Sequence, residues 1–246
     1  MSKIRNFNKE LKDNESNYFY NFDKDVIHPF MVKSFKPFFI DGSLLELGSH
    51  EGSFTRHLLK YFSNISCVEA STEAIKKAKK LFANKIIFYN NSFENLDLKK
   101  RFNNIILTHV LEHMDDPVYL LKRINEDWIS ENGRLFLAVP NANAPSRQIA
   151  VKMGLIDFNA AVTKSEFDHG HRITYTFDTL ERDVKKAGLN IVYRSGVFFK
   201  ALANFQWDQL LNTDIISNDY LEGCYHLGLQ YPELCSSIFL VCEKGK

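Results

Sequence analysis

The stretch LLELGSHEGSF, residues 44–54, decides how the chain reads. Leu44, Leu45 and Leu47 surround Glu46 in a short apolar run that suits a buried strand. Gly48 and Gly52 follow four apart, and residues 54–62 (FTRHLLKYF) have helical spacing. A strand, a glycine turn and a helix in this order form a cofactor loop, because glycine takes positive φ and lets a ligand approach the backbone. Loops that grip a pyrophosphate carry one more glycine, where this chain has His50. The turn therefore points away from a dinucleotide such as NAD and toward a cofactor without phosphate.

Working outward, β-rich runs at 65–69, 86–89, 104–108, 134–139, 190–194 and 237–242 alternate with helical patterns. The helices are expected at 72–82 behind an N-cap at Ser71, at 117–128 starting on Pro117, and at 177–187 ending at Gly188. This alternation predicts an α/β, Rossmann-like, doubly wound and mostly parallel sheet with helices on both faces. Residues 1–246 are read as a single domain. Three segments stand outside the alternation: an N-terminal cap at 1–41 and insertions at 141–172 and 198–235. Insertions of this length are usually functional, and the three are read as one cap over the carboxyl edge of the sheet. The aromatic runs at 18–22 and 28–39 suit either closure over the cofactor or the core of a packed helix. Trp207 and its neighbours fit either a dimer surface or an acceptor pocket; both stay open.

Ligands of an open parallel sheet bind at the carboxyl ends of its strands. Glu46 and Gly48 end the first strand, Glu69 the second and Thr108 with His109 the fourth, while Ser92, Phe93 and Glu94 follow the third. Glu69 lies 21 residues after Gly48, where it can accept from both hydroxyls of a ribose. Phe93 suits an adenine face, with Ser92 or Glu94 on its edge.

The strings ELGSHEG (46–52), VEAS (68–71), NSFE (91–94) and HVLEHMDDP (109–117) make the chain resemble the class I S-adenosylmethionine-dependent methyltransferases, in their small-molecule branch. The likeness is good over 43–141 and weaker through HRITYTFDTL (171–180). The tail after Gly196 looks like methyltransferases found with polysaccharide-modification enzymes. The resemblance implies a seven-stranded sheet ordered 3-2-1-4-5-7-6, with the last strand antiparallel. It implies S-adenosyl-L-methionine as cofactor, held by Glu46, Gly48, Ser49, His50, Gly52, Glu69, Ala70, Ser92, Phe93, Glu94, Thr108 and His109.

Methylation of a hydroxyl requires a group that takes its proton. His109 and His169 are the candidate catalytic bases, and Asp168, His171 and Arg172 the candidate substrate-binding residues. His113 is expected to cap or pack the helix beginning near Pro117. The string HVLEH matches an inverted zinc-peptidase pattern, but that chemistry needs both histidines on one helical face, and here the string starts at a strand end. His109, Glu112 and His113 are the residues weighed as metal ligands, and no metal is assigned.

The formal net charge of +1 gives no support for a nucleic-acid partner. No apolar run reaches a membrane span, and the polar N-terminus lacks an apolar leader. None of the four cysteines forms a C-x-x-C pair. A cytoplasmic location follows as an expectation. The expected function is methyl transfer to a small polar metabolite, foremost O-methylation of an activated sugar or other glycan or capsule precursor. The alternatives are N-methylation of an amino compound, methylation of a phosphate-type oxygen, or a non-catalytic subunit that keeps the fold. A homodimer is compatible with the surface residues.

Overall fold

The computed structural model describes residues 20–245. Residues 1–19 of the expected N-terminal cap, with Tyr18 and Phe19 of its first aromatic run, lie outside the described residues. Seven strands form one sheet: β1 (Leu44–Leu47), β2 (Ile65–Glu69), β3 (Ile86–Asn90), β4 (Phe102–Thr108), β5 (Ile129–Pro140), β6 (Asn190–Phe199) and β7 (Cys235–Glu243). Their order is β3-β2-β1-β4-β5-β7-β6. The first five strands pair in parallel, and β7 runs antiparallel to both β5 and β6. The order reverses between β1 and β4, so a crevice opens at their carboxyl ends.

The helices are α1 (His28–Phe35), α2 (Thr55–Leu58), α3 (Thr72–Phe82), α4 (Pro117–Arg123), α5 (Pro145–Lys152), α6 (Lys164–Asp168), α7 (Phe177–Lys186), α8 (Asn204–Leu211) and α9 (Asn218–Gln230). Ser71 caps α3 by accepting from the Ala74 N–H, and Asp116 caps α4 by accepting from the Tyr119 N–H. The second cap falls to Asp116 and not to His113. The expected helix over 54–62 is shorter than its pattern: its regular part is Thr55–Leu58, followed by turn-like bonds to Phe62. The helix expected to reach Trp128 changes at Ile124 into a wider π-helical turn. Strand β5 starts five residues before its expected start, because Gly133 sits at a bulge and does not break it. The partners Phe102↔Ile129 and Asn104↔Arg134 bracket the irregularity. A Cβ on Gly133 would lie 3.0 Å from the Phe102 carbonyl oxygen.

Alternation along the strands builds two cores. Leu45, Leu47, Ile105, Leu107, Leu135 and Leu137 face α4 and α7 on one side. Leu44, Ile106, Phe136 and Phe239 face α1 and the aromatic layer on the other. In that layer Phe22 stacks on Trp207 at 4.9 Å and Phe30 on Tyr225 at 4.9 Å. Trp207 is 2% exposed, so it is core and not a surface residue. The segments 20–39 and 198–235 thus pack on each other. The segment 141–172 is tied instead by Arg147, which binds the carbonyls of Asn159 and Ala161 and the carboxylate of Glu166. No helix among the described residues is long and apolar enough to cross a membrane.

Candidate functional site

The loop after β1 turns on three left-handed residues, Gly48 (φ 78°), His50 (φ 48°) and Gly52 (φ 85°). Both glycines are also demanded by packing. A Cβ on Gly48 would lie 2.5 Å from Val110 Cγ2, and one on Gly52 would lie 2.2 Å from the Phe82 ring. The absent side chains therefore face protein, and the close-approach argument made from sequence is only part of their reason. The His50 position holds the turn at a φ that costs a non-glycine residue strain.

Glu69 joins the first two strand ends. One carboxylate oxygen accepts from the His50 N–H at 2.8 Å, and the other from the Ser71 N–H at 2.7 Å. Burial raises its pKa, and these bonds oppose the rise. Each oxygen keeps a lone pair for a further donor. Asn90 ties the third strand end to the same place by donating to the carbonyls of Glu69 and Ala70, both at 3.0 Å. Ser92 accepts from Asn95, and Arg123 gathers the carbonyls of Phe93, Glu94 and Leu96, which fixes that turn. Phe93 is half-buried and Glu94 exposed.

Glu46 stands lower. It pairs with Cys67 across β1 and β2, and it accepts from Thr55 Oγ1 at 2.6 Å. It is 2% exposed, and burial pushes its pKa from 4.5 up to about 7. It braces α2 beneath the turn through that bond.

His109 follows Thr108 at the end of β4 with φ 53°. Its N–H donates to the Ala138 carbonyl, and its Nε2 lies 2.9 Å from Ser237 Oγ. Ser237 reaches this edge because β7 runs antiparallel. Burial lowers the His109 pKa to about 4, and the positive charges of His171 and Lys200 act in the same direction. His28 is a second buried imidazole beside it, with its ring edge-on to Phe54 at 5.2 Å and its Nδ1 without a hydrogen-bond partner among the described residues. Burial lowers its pKa to about 3, followed by the charge of His109. Lys200 is 6% exposed and bonds Asn204, which donates to both oxygens of Asp23. Burial holds Lys200 down at about 8 and pushes Asp23 up to about 6. His28, Lys200 and Ser237 are absent from the sequence reading. His28 and Lys200 lie in aromatic runs that look like core, and Ser237 becomes visible only with the strand order.

The remaining candidates divide. Asp168 is exposed at the end of α6, and His169 is the half-buried C-cap of that helix. His171 lies next to His113, ring centroids 4.6 Å apart and edge-on. Its pKa is lowered by burial first, with His169 adding to the effect. Arg172 reaches Asp115 at 3.4 Å and covers the Phe167 ring. His109 and His169 thus share His171 as a neighbour. The turn at Leu111–His113 is a single 3₁₀ turn, which rules out the helical face a zinc peptidase needs.

Residues 19–194 match the model of the family described as "Methyltransferase domain". The chain belongs to this family. It is an S-adenosylmethionine-dependent methyltransferase. The fold is shared with a methyltransferase of Thermotoga maritima at 16% identity, covering 97% of each chain with a TM-score of 0.66. It is shared with one from Clostridium acetobutylicum at 12% identity, covering 97% and 98% with a TM-score of 0.58. The plantazolicin methyltransferase BamL, solved with S-adenosylhomocysteine, matches at 14% identity over 96% of this chain and 89% of its own, with a TM-score of 0.58. Among curated proteins, Nodulation protein S of Azorhizobium caulinodans is 34% identical over 76 residues, which span 30% of this chain and 37% of that protein.

The residues of this methyltransferase fit S-adenosylmethionine. Glu69 has lone pairs to spare for two hydroxyls at the junction of the first two strand ends. The turn at 48–52 tolerates His50 because the cofactor carries no phosphate to wrap.

Proposed function

We propose that this methyltransferase transfers a methyl group to an oxygen of a small polar metabolite, with an activated sugar or other glycan precursor as the acceptor class. Bound S-adenosylmethionine supplies an electrophilic methyl group on a sulfonium, so the chain mainly positions the acceptor and handles a proton. The turn from Gly48 to Gly52, with Ser49 and His50, takes the methionine end. Glu69 and Ala70 take the ribose, and Ser92, Phe93 and Glu94 take the adenine. Glu46 supports the turn from below.

The observation that carries the choice of oxygen is His109. A hydroxyl gives up its proton as it accepts the methyl group, and a neutral imidazole can receive it. Burial keeps His109 neutral at physiological pH, at the strand end next to Thr108. Lys200 near it suits an acceptor that carries negative charge, as an activated sugar does. His169 and His171, with Asp168 and Arg172, lie on the segment 141–172, which together with 198–235 forms the acceptor cap in this reading.

The test is methyl transfer from labelled S-adenosylmethionine to a panel of nucleotide sugars, free sugars, amines and phosphate esters. His109→Ala should lower kcat/KM by about 10²–10⁴-fold, the usual contribution of a positioned base. S-adenosylhomocysteine affinity should change little. Unchanged turnover in both His109→Ala and His169→Ala would reject a base-assisted hydroxyl and favour an amine or a phosphate-type oxygen.

A further inference from the structure

A second group of side chains lies beside this site and shares His171 with it. Glu112, His113 and His171 bring one ligand atom each to within 4.8 Å of the others. Glu112 is 1% exposed, and neither carboxylate oxygen has a hydrogen-bond partner among the described residues. A buried carboxylate is costly unless a proton or a cation satisfies it. Two imidazoles stand beside this carboxylate. His113 Nε2 is 3.9 Å from Glu112 Oε1, and the rings of His113 and His171 meet edge-on.

We propose that Glu112, His113 and His171 bind a divalent ion of the zinc, cobalt and iron(II) class. Two imidazoles and one carboxylate match the preference of these ions, whereas magnesium and calcium take oxygen ligands. Donors about 2.1 Å from a four-coordinate ion are about 3.4 Å apart. The Glu112–His113 pair therefore closes by about 0.5 Å on binding. The backbone already sets the two segments in register, because the Glu112 carbonyl accepts from the Arg172 N–H at 2.7 Å. His109, weighed from sequence as a ligand, is excluded from the set because its Nε2 is turned to Ser237. Three protein ligands leave a coordination position open to an oxygen donor.

Tag-free, full-length protein is dialysed against a chelator and titrated with Co²⁺ alone, following visible absorption, with no cofactor or acceptor present. Wild type should take up one equivalent, which Zn²⁺ displaces. Glu112→Gln and His171→Gln should bind at least about tenfold more weakly. His226→Gln, on an exposed helix face, should bind like wild type. Zn²⁺ alone should also raise the wild-type melting temperature, and chelator should reverse the rise; this arm holds even if a variant fails to fold. Absence of Co²⁺ uptake by wild type, uptake undiminished in Glu112→Gln, or a melting temperature indifferent to Zn²⁺ would overturn the proposal. None of these results bears on methyl transfer.

Discussion

Glu46 places a pH-dependent cost on the fold. Its carboxyl is 2% exposed, accepts one strong bond from Thr55, and has its pKa pushed by burial from 4.5 to about 7. The folded-state value lies above the unfolded one, so folding favours the protonated form. The stability that goes with this is fully present below pH 4.5 and is lost as the pH rises through about 7. At about 1.4 kcal/mol per pH unit, the full loss is about 3 kcal/mol. Glu46→Gln keeps an oxygen for the Thr55 hydroxyl and carries no charge at any pH. Urea denaturation followed by circular dichroism should show the variant about 3 kcal/mol further ahead of wild type at about pH 8 than at pH 4.5. Taking the difference between the two proteins cancels the other titrating groups. A difference that stays constant across this range, or shrinks as the pH rises, would refute the reasoning.

His28 predicts the opposite behaviour in acid. Its folded pKa of about 3 lies below the ordinary 6.5, so its contribution is present above pH 6.5 and is lost as the pH falls. Replacing it by Phe should improve stability relative to wild type by about 3 kcal/mol on going from about pH 7 to about pH 4, read from melts at both. Glu69→Ala strands the His50 and Ser71 N–H groups. Calorimetry should show S-adenosylhomocysteine affinity at least about tenfold lower, since charge-assisted bonds contribute about 1.5–3 kcal/mol each. Gly52→Ala forces a side chain toward the Phe82 ring at positive φ, and should cost about 2–4 kcal/mol in urea denaturation.

The architecture was legible because its signals are local. Ser71 caps a helix from its own neighbourhood, the apolar runs define seven strands, and the glycine turn identifies the switch point. The strand order and the antiparallel last strand came through the family motifs. What escaped sequence reading depends on contacts made far along the chain. Ser237 meets His109 from 128 residues away. Lys200 and Asp23 are linked through Asn204, 181 residues from Asp23. Trp207 reads from sequence as a dimer surface or an acceptor pocket, whereas its burial and its stack on Phe22 place it in the core. Glu46 has the motif position of a ligand-facing acid, yet the pleat turns its carboxyl under α2.

The stack of Phe22 on Trp207, with Phe30 on Tyr225, bears on how the chain folds during synthesis. The aromatic face of residues 22–35 emerges from the ribosome early, while its partners at 207–225 are made nearly last. Contacts this distant in sequence close slowly. Until β6, β7 and α9 exist, Phe22, Phe30 and Phe35 have only part of their burial and form an apolar surface on a nascent chain, the kind of surface that chaperones bind and that aggregates when left alone. Translation rate and temperature should therefore govern the yield of soluble protein more strongly than the final stability does.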